Sequence, residues 1–222
     1  MAASAHTAAG PVPALAFAVD GAAPVEHAAA PTLAFALRIE ADRPVRSILL
    51  DTQVQIAVRR RPYGPADHDR LFDLFGAPAD WGSTLRTLLW TRLTTVVPPF
   101  ESATVAELPV ACSYDLEVAA SRYFAALSEG DVPLELLFSG TVFYADGDRL
   151  QAARIPWEQE AEYRLPVSVW RETMDRHFPG SAWLRLGRES FDRLSAFRSR
   201  GALGTWDAAV DALLDGRGVD ER

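Results

Sequence analysis

Residues with chemically active side chains are few in this chain, and their spacing argues against metal chemistry. The four histidines, His6, His27, His68 and His177, are scattered, and no two have the i,i+4 spacing that places two ligands on one helix face. No Cys-x-x-Cys pair exists, because the chain has a single cysteine, Cys112. We therefore predict no bound metal and no cofactor.

Acidic residues are the second set of candidates. Glu158, Glu160 and Glu162 share one parity of a predicted strand, and Asp115 and Glu117 form a similar pair. Such stripes could bind a cation or a basic partner, but they are more typical of a solvated sheet face whose like charges discourage edge pairing. A glycan or ester hydrolase would require two carboxylates that converge in a cleft, one with a pKa raised by burial. This function stays open as an alternative.

Nucleophiles are poorly represented. Ser139 lies within a strand pattern and not on the strand-to-helix turn of a G-x-S-x-G motif, while Gly140 favours a bulge or a close approach of two backbones. The chain contains no lysine and no asparagine, which excludes a Schiff base, a Walker-type phosphate loop and N-glycosylation. Cys112 falls on the apolar parity of its strand, so we predict a buried thiol. We assign no catalytic residue and predict that the protein is not an enzyme.

Arginine and aromatic residues form the preferred binding patch, in segments 59–64 and 78–90. Its predicted partner-binding residues are Arg59, Arg60, Arg61, Tyr63, Trp81 and Trp90. Arginine and aromatic side chains are favoured anchors of protein interfaces. The competing interpretation is structural, since tryptophans usually fill cores and an arginine run at a strand end is usually solvated.

Composition limits the partners and the location. The 22 basic and 30 acidic residues give a net charge of −8, which argues against nucleic acid or an anionic membrane as partner. The N-terminal segment lacks the charged and continuous apolar regions of a secretory signal, and no apolar run approaches membrane-spanning length. We predict a cytoplasmic protein that binds another protein and leave its oligomeric state open.

Strict alternation of apolar and polar residues predicts strands with one buried face. It is clearest in residues 32–41, 47–60 and 107–118, and a shorter strand begins near Leu15. Residues 85–97 are apolar on both parities, which predicts a strand partly covered on both faces. Such strands form antiparallel sheets that must stack on another layer, so the pattern predicts a β-sandwich of about seven strands.

An Asp-Gly pair at 146–147 predicts a tight hairpin with a two-residue loop. The register that follows contains the pairs Ala145–Asp148, Phe138–Ile155 and Leu136–Trp157.

The period becomes helical after residue 166. We predict about three C-terminal helices there, one with Val167, Trp170 and Met174 on a single side and the last with Thr205 as its N-cap. Four tryptophans are predicted to pin the helices to the sandwich: Trp157, Trp170, Trp183 and Trp206. The fold class is α+β, divided into a flexible leader at 1–13, a β-sandwich at 14–165 with a short helix near 67–75 that stops at Gly76, and helices at 166–216 packed on the sandwich.

Six segments together resemble one known family. They are PTLAFAL (31–37), RRRPYG (59–64), LFGAPADWGSTLRTLLW (74–90), LPVACSYDLEVAASRYF (108–124), VPLELLFSGTVFY (132–144) and IPWEQEAEYRLPVSVW (155–170). The resemblance spans residues 15–214 and is to an actinobacterial family of unknown function commonly encoded beside nickel–iron hydrogenase genes. It implies a role in making, tuning or scaffolding a hydrogenase, and it carries over no site residue.

We therefore expect an accessory protein that acts by protein–protein contact, with hydrogenase subunits or maturation factors as partners. A second hypothesis is a binding module or chaperone that holds a small apolar ligand or an unfolded maturation client. It requires an open apolar cleft between sheet and helices. The hydrolase described above is the third.

Overall fold

The computed structural model describes residues 11–113, 115, 118–181 and 183–216. Within them lie eight strands: β1 Leu15–Pro24, β2 Thr32–Ala41, β3 Ser47–Ile56, β4 Leu88–Val97, β5 Ala103–Ala111, β6 Asp131–Asp146, β7 Arg149–Arg154 and β8 Glu160–Pro166. The same residues form seven α-helices: α1 Pro65–Arg70, α2 Phe72–Phe75, α3 Trp81–Thr84, α4 Ala119–Ala126, α5 Val167–Asp175, α6 Arg188–Arg200 and α7 Trp206–Asp215. The chain divides into two compact units, residues 1–182 and 183–222.

Two antiparallel sheets build the first unit. The first sheet has the strand order β1-β2-β5, and the second has the order β4-β3-β6. Strand β6 has 16 residues, so β8 pairs with its first half and β7 with its last part, on the side away from β3. The antiparallel sheets predicted from the alternation are confirmed, with eight strands in two sheets.

The buried faces of the two sheets share one hydrophobic core. Its members recur at every second position of the central strands: Leu33, Phe35, Leu37, Ile39, Ile48, Leu50, Val54 and Ile56. Aromatic rings connect the sheets, because Phe17 stacks on Phe138 at 4.5 Å and Phe35 lies edge-on to Tyr163 at 5.8 Å. Full burial of each such side chain contributes about 1.5–3 kcal/mol.

Two strands end earlier than predicted, and a third is less buried than predicted. Strand β3 ends at Ile56, because residues Val58–Arg60 form a 3₁₀ turn. Strand β5 ends at Ala111, where the alternation predicted a strand up to residue 118. Strand β4 exposes Leu89 and Val96, so one of its faces is open although both were predicted to be partly covered. The apolar character of Leu89 and Val96 predicted that this face is covered, but no other element covers it in the described residues, and both side chains are exposed to solvent.

The hairpin forms where Asp-Gly predicted it, but the predicted register is wrong. Asp146 pairs with Arg149 and Ala145 pairs with Leu150, so Gly147, with a φ of 58°, is the first of the two loop residues. Further along, Leu136 pairs with Ala161 and the Phe138 amide donates to Gln159. The pairs Phe138–Ile155 and Leu136–Trp157 therefore do not form, because the chain leaves the sheet between β7 and β8. The first shift is by two residues, so each side chain keeps its face.

The predicted close backbone approach at Gly140 is confirmed. Gly140 has a φ of 128°, and a Cβ atom at this position would lie 2.0 Å from the backbone oxygen of Leu49 on the neighbouring strand. Only glycine avoids this overlap, so it allows β3 and β6 to remain paired at this point.

Helices occur along the whole chain and not only at its C-terminal end. Helices α1, α2 and α3 lie between β3 and β4, and α4 lies between β5 and β6. The sequence predicted one helix near 67–75, where the structure has two, α1 and α2. Helix α2 ends as expected at Gly76, which has a φ of 73°. Helices of four to eight residues complete too few turns for a 3.6-residue period to be recognised.

Helix α5 belongs to the first unit, and helices α6 and α7 belong to the second. The division of the chain at residue 166 stays a prediction. Helix α5 buries Val167, Trp170 and Met174, and Trp170 stacks on Phe124 of α4 at 5.4 Å. In the second unit the Thr205 hydroxyl accepts a hydrogen bond from the amide of Ala208, which confirms the N-cap of α7. The packing of α6 and α7 on the sheets stays a prediction. Residues 1–10 of the predicted leader lie outside the described residues.

Candidate functional site

Arg61, in the predicted partner-binding patch, is buried inside the first unit. Its side chain is 6% exposed and lies 3.7 Å from the carboxylate of Asp67. Its terminal nitrogens donate to the backbone oxygens of Glu129 and Asp131, at 2.9 and 3.0 Å. The guanidinium therefore holds the segment that enters β6 and is not available to contact a partner.

Tyr63 is connected to Tyr123 in the same region. The Tyr63 hydroxyl donates to the backbone oxygen of Val58 at 2.7 Å and lies 2.8 Å from the Tyr123 hydroxyl. A hydroxyl has one hydrogen to donate, so Tyr123 must donate to Tyr63. Burial raises the pKa of both hydroxyls, and the neighbouring Tyr63 raises the pKa of Tyr123 further. Both groups are therefore protonated at neutral pH.

The two tryptophans of the patch pack internally. Trp81 is buried, donates from its indole nitrogen to the backbone oxygen of Gly76, and lies edge-on to Tyr63 at 5.1 Å. Trp90 is the extra residue of a β-bulge in β4 and packs on Phe124 at 4.7 Å. We call Arg61, Tyr63, Trp81 and Tyr123 the internal cluster. The observed contacts of Arg61, Trp81 and Trp90 are therefore those of residues that stabilise the fold.

The other two arginines of the patch are exposed. Arg59 donates to the backbone oxygens of Gly82 and Leu85, which ties it to the end of α3. Arg60 makes ion pairs with Glu135 and Glu162, at 2.9 and 2.6 Å. Binding of a partner by this patch stays a prediction, and Arg59 and Arg60 are the residues that such a partner could reach.

The remaining candidates are dispersed over the first unit. His68 packs against Trp81, and His177 lies 3.0 Å from the backbone oxygen of Ala28. No group of three or more histidine, cysteine, aspartate or glutamate side chains in the described part of the chain could hold a metal ion. Burial raises the pKa of Cys112 to about 12, which keeps it a thiol. His6 and Glu117 lie outside the described residues.

The second unit carries apolar side chains that are exposed to solvent. They are Trp183, Leu184, Leu186, Phe191, Trp206, Val210, Leu213 and Leu214, and we call them the apolar surface of the second unit. Helix α6 has no buried residue, and Ala209 is the buried residue of α7. Leu184 is 75% exposed and Trp183 is 60% exposed. The structure thus exposes side chains whose burial would be favourable.

Arginine and aromatic side chains adjoin this apolar surface. The guanidinium of Arg198 lies over the ring of Trp206 at 3.9 Å, and Phe191 contacts the same ring at 5.4 Å. An open groove of about 1010 Å³ along α6 is lined by Leu194, Phe197 and several arginines. Trp183 and Trp206 are predicted from the sequence to pin the helices to the sheets, and this packing stays a prediction. The short length of the second unit could have indicated the exposure of its apolar side chains, because two short helices can enclose almost no core of their own.

Comparison with known proteins identifies a family without a described activity. A family model described as a family of unknown function (DUF6084) matches residues 12–222 of the chain. No curated protein and no solved structure matches the chain. In the described residues, no helix combines the length and apolar character needed to cross a membrane.

Proposed function

The chain belongs to the DUF6084 family, and we propose that it is a non-catalytic accessory protein that binds another protein through the apolar surface of its second unit. The observation that supports this function is the exposure of two tryptophans, a phenylalanine and several leucines in the segment before α6 and on α6 and α7, two helices that bury almost nothing. Phe191 and Trp206 adjoin at 5.4 Å, and Val210 and Leu213 share a face of α7 with Trp206 by their spacing. Exposed apolar side chains grouped in this way are typical of protein–protein interaction sites.

Energetics favour a partner for this surface. A two-helix segment gains most of its stability from packing against something else, because isolated helices of 10 and 13 residues are marginal in water. Burial of apolar surface contributes about 25 cal/mol per Å², so covering a few large side chains offsets much of the cost of association. Trp183, Trp206 and Arg198 are of the residue types that dominate interface energetics.

The resemblance suggests the partner. It links the chain to genes that lie beside nickel–iron hydrogenase genes, so hydrogenase subunits or their maturation factors are the proposed binding partners. Action in the cytoplasm, where such enzymes are assembled, belongs to the same proposal. The chaperone and hydrolase hypotheses remain alternatives, without a specific contact in the described residues that favours either.

Affinity purification from the native host tests this function. The tagged wild-type protein is expected to recover hydrogenase subunits or maturation factors when the hydrogenase is expressed. The double variant Trp183→Asp, Leu184→Asp should lose them, because two charges replace apolar contacts. The matched control is Leu150→Asp, which places a charge at an exposed leucine of the first unit and should leave recovery unchanged.

Two results would contradict the proposal. One is equal recovery of the same partners by the wild-type protein and the double variant. The other is a loss of thermal stability by several degrees in the double variant without loss of partner, which would show that the apolar surface has a structural role.

A further inference from the structure

A groove of about 530 Å³ lies on the outer face of the second sheet. Strands β4, β3 and β6 form its floor, and Trp157, from the loop between β7 and β8, stands beside it. Ligand-binding pockets have volumes of about 300–1,000 Å³. The groove is therefore large enough for a small organic ligand.

The polar side chains of the floor form two rows across the strands. Asp51 lies between Thr94 of β4 and Ser139 of β6, and Gln53 lies opposite Arg92 of β4. Cross-strand positions of this kind place the side chains on one face within reach of each other. The groove therefore combines a carboxylate, an amide, a guanidinium and hydroxyl groups within two adjacent rows.

Hydrogen bonds orient these groups before any ligand binds. The Thr94 hydroxyl donates to the Asp51 carboxylate, and the Arg92 Nε donates to the Gln53 side-chain oxygen at 3.0 Å. A guanidinium has five N–H donors, so Arg92 retains others that a ligand can use. Groups oriented in advance lose less entropy when they bind.

Trp157 supplies an apolar surface next to this polar floor. The prediction that Trp157 pins a helix is wrong, because Trp157 is 83% exposed. An indole ring presents a flat apolar face and one N–H donor. Saccharide rings are complementary to this arrangement, since they have an apolar C–H face and a periphery of hydroxyl groups.

The charges that line the groove favour a neutral ligand over an anionic one. Its lining contains one carboxylate, Asp51, and one guanidinium, Arg92, so its formal charge is balanced. Glu160 of β8 lies one strand beyond the groove, opposite Leu137, and adds negative charge nearby. A phosphate or carboxylate ligand would meet no net positive charge there. We propose that this groove binds a neutral saccharide, with one sugar ring stacked on Trp157 and its hydroxyls bonded to Asp51, Gln53 and Arg92.

Titration calorimetry and tryptophan fluorescence of the full chain test this site. The probes are four neutral hexasaccharides, maltohexaose, cellohexaose, xylohexaose and chitohexaose. We expect at least one to bind with a Kd of about 10 μM to 1 mM, equivalent to about −7 to −4 kcal/mol. Trp157→Ala should weaken binding at least tenfold, and Gln53→Ala should weaken it several-fold.

The control variant separates this site from the proposed function. Trp183→Ala removes an exposed tryptophan of the second unit and should leave saccharide affinity unchanged. The inference would be overturned if none of the four probes binds at 5 mM, about fivefold above the weakest expected Kd. It would equally be overturned if Trp157→Ala binds as the wild type does, or if a sulfated oligosaccharide binds more tightly than every neutral probe. Each result stands whether or not the second unit binds a protein.

Discussion

The internal cluster and the apolar surface of the second unit contain the same kinds of side chain in opposite environments. In the internal cluster, Arg61 and Trp81 are buried and donate to backbone oxygens. In the second unit, Trp206 is exposed and carries the Arg198 guanidinium on its ring. Arginine and tryptophan therefore do not identify an interface by type. The deciding factor is whether other segments of the chain supply partners for their polar groups and cover for their rings.

The number of surrounding segments explains the difference. Side chains of the internal cluster contact the 3₁₀ turn at Val58–Arg60, helices α1, α2 and α4, and the residues that enter β6. The part of the second unit that the structure describes, residues 183–216, consists of two short helices and their connections. Five segments can enclose a side chain on all sides, whereas a pair of helices leaves most of each helix surface in solvent.

The largest expected effect is the loss of the buried tryptophan. Trp81→Ala should lower the free energy of unfolding by about 3–5 kcal/mol, because it leaves a cavity among Tyr63, His68 and Phe75. Leu184→Ala, a truncation of an exposed apolar side chain in the second unit, should change it by no more than about 0.5 kcal/mol. Urea unfolding followed by circular dichroism measures both. Similar losses of unfolding free energy in the two variants would contradict the difference in burial between the two regions.

The two neighbouring arginines should differ in the same way. Arg61→Ala should cost about 3 kcal/mol, because it leaves Asp67 and two backbone oxygens without their buried partner. Arg60→Ala should cost much less, because its ion pairs are exposed to solvent. Thermal and urea unfolding of the two variants provide the comparison, and an equal cost would contradict the assignment of Arg61 to the interior.

Alkaline pH should weaken the internal cluster. The pKa values of Tyr63 and Tyr123 are raised in the folded protein, so the folded state retains protons that the unfolded state loses above pH 10. Their contribution is therefore fully present below pH 10 and falls as the pH rises above it, by up to about 1.4 kcal/mol per pH unit for the Tyr123 hydroxyl and by less for the Tyr63 hydroxyl, which is partly exposed to solvent. Urea unfolding at pH 9, 10 and 11 measures this slope. Tyr123→Phe should reduce the slope of the unfolding free energy against pH. An unchanged slope in this variant would show that the Tyr123 hydroxyl is not its cause.

The smallest expected effect concerns the exposed ring pair. Arg198→Ala should cost about 0.5–1 kcal/mol or less, because a cation–π contact in solvent is weak. The fluorescence of Trp206 should change with it, since the charge over the ring is removed, while the unfolding midpoint stays nearly constant. Arg188→Ala serves as a control on the same helix. A loss of several kcal/mol would show that the contact lies in a buried environment.

Much of the fold could be predicted because it depends on local patterns. The alternation over 32–41 and 47–56 matches strands β2 and β3, and Thr205 caps α7 as expected. The hairpin register could not be predicted, because the loop and the departure of the chain between β7 and β8 add residues that no local signal counts. The short helices α3 and α4 were missed, since each has too few residues to show a period.

The period-two pattern and the residue types present can be read directly from the amino-acid sequence. They specify antiparallel strands, the burial of Cys112, the close approach of the paired strands β3 and β6 at Gly140, and the exclusion of lysine chemistry. Which arginines and tryptophans are enclosed is a different kind of fact. Arg61 is buried because residues 129 and 131, which lie 68 and 70 positions away, supply its acceptors, whereas Trp157 and Trp183 are exposed. Burial depends on contacts between segments distant in sequence, so it emerges only when the chain is folded.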